Sequence, residues 1–321
     1  MRFALMTEPQ QGLTYDEILA VAQAAEEAGF ESFFRSDHYE SFPDDDSPAT
    51  DAWATLAGLA RETSRISLGT LVSPVTFRLP GPFAKLVTTV DQMSGGRVEV
   101  GLGAGWNETE HEQLGIPFPA IGERFDRLEE TLAILHGLWT EPAGWSYEGR
   151  EWPLRGARFA PGPVTREGRR HPNVIIGGEG KPRSLRLAAT YADEYNVVSA
   201  RPETASGIYE RLADVCRAAD RDPQTVTRSA MTGVLVAETE GELRDRVNDL
   251  RAFMGGGESD PDAWLAERRD WWIMGTPDEA LERVAAFERA GVQRMVLQDF
   301  SPRDLDMVKL LGSTVLTDVP A

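Results

Sequence analysis

One repeated pattern constrains the fold more than any other feature. A short β-branched apolar run stops abruptly in Gly, Ser, Pro or Thr, and an amphipathic stretch follows. Residues 66–71 run into Val72-Ser73-Pro74-Val75-Thr76-Phe77-Arg78, and residues 98–103 run into Ala104-Gly105-Trp106-Asn107. An apolar run of this kind packs on both faces, as a buried parallel strand does, and small residues at its end let backbone approach a bound molecule. Phe33-Phe34-Arg35 likewise ends in Ser36-Asp37-His38. Three strand ends with polar or Gly-rich chemistry predict one mouth of a β/α barrel.

Helical stripes alternate with these runs. Residues 15–28 place Ile18, Leu19, Val21, Ala22 and Ala25 on one helical face, and Gly29 supplies the stop. The same reading predicts strands at 2–6, 31–35, 66–71, 98–103, 174–177, 195–198, 229–237 and 294–297. Helices are expected at 52–62, 83–93, 125–139, 184–191, 205–219, 240–253 and 275–290, the last with Thr276 as N-cap and Pro277 in its first turn. About eight strand–helix units favour an α/β fold, a (β/α)8 TIM barrel, as a single domain over 1–321. Two segments break the alternation. Residues 145–170, rich in Gly, Pro, Arg and Trp, read as a lid or rim, and residues 255–270 open on a Gly255-Gly256-Gly257 hinge. Both are expected as insertions at the C-terminal face of the barrel.

Composition narrows the partners. Thirty-three basic against 52 acidic residues leave a net charge of −19, which repels nucleic acid and anionic membranes. A lone cysteine, Cys216, excludes an internal disulfide and a cysteine metal cluster. The first residues read as a strand without secretory-leader features, and no apolar run approaches the roughly 20 residues of a membrane helix. The expectation is a cytoplasmic protein acting on a small molecule, with neither nucleic acid nor membrane as partner. His111, His136 and His171 lack metal spacing and Asp44-Asp45-Asp46 reads as a solvated loop, so no metal is expected.

Several strand ends carry candidate chemistry. His38 falls where barrel enzymes place catalytic groups, and its imidazole can exchange a proton with a substrate. Asp37 is placed to orient that ring or to lie near a cofactor. Gly101-x-Gly103 lacks the third glycine of a dinucleotide fingerprint, since Trp106 stands there, which argues against a nicotinamide fold. Gly103, Ala104 and Gly105 instead offer backbone N–H groups to a cofactor, with Trp106 as a wall and Asn107 or Glu108 at its polar edge. Gly177-Gly178-Glu179-Gly180 precedes a helix carrying Lys181, Arg183 and Arg186, a setting that suits a phosphate. No Gly-x-Ser-x-Gly elbow supports hydrolase chemistry.

Taken in order, Ser36-Asp37-His38, Ser73–Arg78, Ser94-Gly95-Gly96-Arg97, Gly101–Trp106, Ile176–Gly180 ahead of Ala192-Asp193, and Gly275-Thr276-Pro277 with Ala290-Gly291 resemble the luciferase-like monooxygenase superfamily. More narrowly, they resemble its branch that uses coenzyme F420. The resemblance covers nearly the whole chain. It implies an oxidoreductase that transfers a hydride between F420 and a small organic substrate, with His38 as proton donor or acceptor and Asp37 beside it. It also places Leu71, Val72 and Ser73 under the cofactor ring, in a bulge with a non-prolyl cis peptide at Leu71-Val72 or Val72-Ser73. The alternatives are an FMN-dependent two-component monooxygenase, which needs a partner flavin reductase, and a cofactor-binding barrel without turnover. Relatives of this kind often dimerise, so a homodimer is expected by analogy.

Overall fold

The computed structural model describes residues 1–41, 47–165, 170–253 and 260–316. The acidic run Asp44–Asp46 and the Gly255–Gly257 hinge lie outside the described residues. The chain runs β1 (Arg2–Thr7), α1 (Tyr15–Ala28), β2 (Ser32–Arg35), α2 (Ala52–Glu62), β3 (Ser67–Pro74), α3 (Pro80–Ser94), β4 (Val98–Gly103), α4 (Glu108–Gln113) and α5 (Ile121–Thr140). It continues through β5 (Trp145–Tyr147), β6 (Leu154–Ala157), β7 (Asn173–Gly178), α6 (Pro182–Tyr191), β8 (Glu194–Val198), α7 (Pro202–Ala218) and β9 (Thr227–Val236). The last elements are α8 (Glu240–Phe253), α9 (Pro261–Arg268), β10 (Ile273–Gly275), α10 (Pro277–Arg289), β11 (Arg294–Asp299) and α11 (Leu305–Thr314).

Eight parallel strands close on themselves in the order β1-β2-β3-β4-β7-β8-β9-β11, and β11 returns to β1. This is the (β/α)8 barrel. Local chemistry sets many of the boundaries. At α1, Thr14 N–H donates to Glu17 Oε2 at 2.8 Å while Glu17 N–H reaches Thr14 Oγ1, and Gly29 ends the helix at φ +93°. At α10, Pro277 occupies the first turn and Thr276 N–H donates to Glu279 Oε2 at 2.9 Å.

Strand alternation sorts the side chains. Ala4, Met6, Phe34, Leu71, Ile175, Met231 and Val296 meet inside the barrel, with Val72 packed on them. Alternate residues such as Phe3, Leu5, Phe33 and Leu297 face the helices and form the larger outer core. Below the inner apolar layer the barrel is polar. Arg294 donates to Glu99 at 2.7 and 2.8 Å and to Glu194 at 2.9 Å, while Ser32 Oγ and Asn173 Nδ2 also donate to Glu99. Burial alone would raise the Glu99 carboxyl, but the Arg294 guanidinium outweighs it and holds Glu99 at about 2.

The two insertions do not share a face. The described part of the second insertion, residues 260–270, holds α9, where Asp262 accepts from Arg244 of α8 at 2.9 Å, and leads into β10, whose Ile273 pairs with Val234 near the C-terminal end of β9. The described part of the first insertion, residues 145–165, is not a lid over the mouth. It leaves the C-terminal end of α5, hence the opposite face of the barrel, and forms the β5–β6 hairpin along the outside of α5 and α3. Glu130 on α5 accepts from Arg150 N–H at 2.6 Å, Lys85 Nζ on α3 donates to Ala160 O at 2.9 Å, and Val164 N–H donates to Asp91 at 2.8 Å. Among the described residues, no helix is long and apolar enough to cross a membrane.

Candidate active site

The C-terminal ends of β2, β3 and β4 meet as the sequence pattern predicts, and a fourth partner joins them. His38 lies just past β2, with its side chain 14% exposed, and its Nδ1 is 2.9 Å from Glu110 Oε1. Glu110 is 1% exposed and accepts Tyr39 N–H at 3.0 Å through its other oxygen. One buried carboxylate therefore fixes both the imidazole and the backbone beside it. The contact commits His38 Nδ1 to Glu110 and sets the plane of the imidazole.

Glu110 belongs to α4, a helix of six residues with the sequence ETEHEQ and no apolar stripe. Asn107 builds it. Its side-chain oxygen accepts Thr109 N–H at 3.1 Å as the N-cap, and its amide donates to Glu40 at 3.2 Å. Asn107 is 6% exposed, so its side chain is committed to protein partners rather than to the edge of the mouth. Gly105, at φ +79°, turns the chain from β4 into α4, where a Cβ would approach Thr76 Oγ1 at 3.2 Å and Pro74 Cβ at 3.3 Å. His111 closes the assembly, with Nε2 2.7 Å from Thr76 Oγ1 and Nδ1 2.6 Å from Asn107 O.

Asp37 does not orient the His38 ring. Its carboxylate is fully buried and held by Arg78, through Nη1 at 2.6 Å and Nη2 at 3.2 Å, and by Ser73 Oγ–H at 2.5 Å. Arg78 also donates to Asp51 at 2.7 Å and to Tyr39 Oη at 2.9 Å. Burial would lower the Arg78 guanidinium, but Asp37 beside it drives it upward. Asp37 is the anchor that ties β2 to the turn after β3, and Glu110 takes the place beside the ring that the sequence suggested for Asp37. The sequence offers one signal for Glu110, an acidic residue in the turn after a Gly-rich strand end.

Leu71-Val72 is a cis peptide, and the β3–β4 register shifts between Thr70 and Ser73. Ser73 is buried and accepts Trp53 Nε1–H at 3.0 Å, so its hydroxyl braces the bulge. Val72 stands over the glycines of the neighbouring strands. A Cβ on Gly103 would come within 2.6 Å of Val72 Cγ2, whereas one on Gly177 would sit 3.7 Å from Val72 Cγ1. Trp106 is 68% exposed and meets the His38 ring edge-on, with centroids 5.5 Å apart. It flanks the opening beside His38.

The Gly177–Gly180 turn leads from β7 into α6. Gly180 N–H donates to Tyr195 Oη at 3.0 Å, and Ser184 Oγ lies 3.1 Å from the same oxygen. The nearby cations face elsewhere than the sequence suggests. Arg183 pairs with Asp126 and lies 3.7 Å from Glu129, Arg186 is 4.0 Å from Glu129, and Lys181 pairs with Glu179 at 3.3 Å. The sequence contains no cue for the arginine pairings, since α5 and α6 meet only once the barrel closes. Among the described residues, no group of His, Cys, Asp and Glu side chains is arranged to hold a metal ion.

Comparison with known proteins agrees with this architecture. Residues 1–294 match the family described as luciferase-like monooxygenase. An F420-dependent glucose-6-phosphate dehydrogenase of Microbacterium testaceum is 27% identical, over 94% of this chain and 92% of its own. An F420-dependent hydroxymycolic acid dehydrogenase of Mycobacterium tuberculosis is 30% identical, over 77% of this chain and 66% of its own. In fold, the chain superposes on an F420-dependent secondary alcohol dehydrogenase in complex with an F420–acetone adduct with a TM-score of 0.82, at 20% identity and 99% coverage of each chain.

Proposed function

The chain belongs to the luciferase-like monooxygenase family, and we propose that it is a coenzyme F420-dependent oxidoreductase in which His38, held by Glu110, exchanges a proton with the substrate. The observation that carries the proton role is the 2.9 Å contact between His38 Nδ1 and the buried Glu110 carboxylate at the mouth of the barrel. The choice of cofactor follows the names of the relatives, dehydrogenases described as F420-dependent that align with most of this chain.

The residues present fit a planar ring. Val72 and the glycines at 103 and 177 form a floor that stays low because the positions around it carry no Cβ. Leu71, Val72 and Ser73 would lie beneath the ring. The backbone of Gly103, Ala104 and Gly105 would face it, with Trp106 as the wall. The turn Gly177-Gly178-Glu179-Gly180 ahead of α6 would take the phosphate-bearing tail on backbone N–H groups other than that of Gly180, which is given to Tyr195 Oη, because the α6 arginines are engaged with α5. When bound, the deazaflavin supplies hydride transfer to or from a carbon of the substrate. Around it, Glu110 would hold the imidazole through Nδ1 and Trp106 would flank the ring, so that His38 would exchange its proton with the substrate from a set orientation.

The experiment is an equilibrium titration of the purified protein with F420 and, separately, with FMN, followed by fluorescence. Binding of F420 in preference to FMN is the expected result. Preference for FMN would replace this reading with oxygen-dependent chemistry and a reductase partner, and binding of neither would end it.

A further inference from the structure

We infer that Gln298 is a specificity-determining residue, and that its amide oxygen accepts a hydrogen bond from a hydroxyl group of the substrate. The inference rests on the mouth being the F420 oxidoreductase site proposed above. It begins with strand parity. Val296 and Met6 face the barrel interior, and Gln298 lies two residues beyond Val296, in register with Met6 on one side and Gly233 on the other. Gln298 therefore points inward at the C-terminal rim, where the mouth opens.

Its orientation is set by a chain of hydrogen bonds whose direction is unambiguous. Glu8, just past β1, accepts Gln298 Nε2–H at 2.6 Å on one oxygen and Gln10 Nε2–H at 2.7 Å on the other. Gln10, 1% exposed, accepts Ser36 Oγ–H at 2.5 Å on its amide oxygen. A carboxylate accepts and does not donate, so both amides must turn their nitrogens toward Glu8. The Gln298 oxygen consequently points away from Glu8, and it takes no hydrogen bond from the described residues. Gln298 is half-buried, so the oxygen is a fixed acceptor on the inner wall. The chain ends at Ser36, two residues before His38, so the wall and the proton-exchanging imidazole belong to one braced unit.

A fixed acceptor selects for a donor. A substrate hydroxyl can donate to Gln298 Oε1, whereas the corresponding methyl ether, with the same carbon skeleton, cannot and would leave the amide oxygen unmatched. The effect expected of one neutral hydrogen bond is about three- to tenfold in affinity.

The test uses the F420-loaded protein and two neutral probe pairs, propan-2-ol against 2-methoxypropane and cyclohexanol against methoxycyclohexane, with cofactor fluorescence as the binding signal. The wild type should bind each alcohol at least threefold more tightly than its ether. Gln298→Met, similar in length but without the acceptor, should lose that preference while F420 affinity and thermal stability stay unchanged. Glu8→Gln, which releases the orientation of the amide, should weaken the preference in the same direction. A merely structural role for Gln298 would shift stability or F420 affinity and leave the alcohol-to-ether ratio alone. Normal F420 binding with an equal or absent response to alcohol and ether overturns the inference. Failure to bind F420 at all overturns it together with the cofactor reading.

Discussion

Asp299, the last residue of β11, offers a quantitative test of the packing around the mouth. It pairs in register with Thr7, and its parity opposite to Val296 turns it toward the helical layer. It is fully buried. One carboxyl oxygen accepts Ser301 N–H at 2.8 Å, and the other has no hydrogen-bond partner among the described residues. Burial pushes the carboxyl from 3.8 up to about 7, and the nearby Asp304 charge adds to the rise. A raised carboxyl means that the folded state favours the neutral acid. Its contribution to stability is fully present below the unfolded value and is lost as pH rises through about 7. The gap of about three units corresponds to about 4 kcal/mol. Asp299→Asn keeps an oxygen for Ser301 N–H and carries no charge at any pH. It should stabilise the protein by about 4 kcal/mol at pH 8 and by less than about 2 kcal/mol at pH 5. Urea unfolding at the two pH values measures both gains. Equal gains, or a loss at pH 8, would refute the argument that an uncompensated buried charge sits there.

Other perturbations probe the site directly. His38→Ala and Glu110→Gln should each leave F420 affinity within a few-fold and slow turnover by roughly 100-fold, the scale of general acid–base catalysis; a full rate in Glu110→Gln would remove the carboxylate from the mechanism. Arg78→Met should cost about 3–5 kcal/mol in denaturant unfolding, because it leaves the Asp37 charge buried and uncompensated; unchanged stability would show that Asp37 is not anchored as described. Gly101→Ala should destabilise by at least about 1–3 kcal/mol, since its Cβ would lie 2.3 Å from the backbone oxygen of Thr70. Gly177→Ala, with 3.7 Å of clearance, should leave the melting temperature unchanged and weaken F420 binding, and the reverse order in calorimetry would contradict the floor geometry.

Much of the architecture was legible in the chain because periodicity and capping are local. The helices at Tyr15–Ala28 and Ala52–Glu62 and the strand at Val98–Gly103 lie where apolar spacing and stop residues put them. The barrel follows from the alternation of such units, and His38 at a strand end follows from the barrel. What escaped the sequence were pairings between distant residues and elements without an apolar pattern. Helix α4 is polar throughout, and Glu110 meets His38 across 72 positions. Arg294 and Glu99 lie 195 positions apart, each in a strand that reads as apolar. β10 has three residues, too few to display a period. The side on which the 145–170 segment lies depends on which end of α5 it leaves, and the sequence displays that it is irregular without displaying where it packs. The chain by itself therefore determined which strand ends form the mouth, since each is written locally. Closure of the barrel decided which side chains touch: it assigned Glu110 to His38, Arg78 to Asp37, and Glu8 to Gln298, because a hydrogen bond between distant strand ends depends on a separation in space that no local pattern encodes.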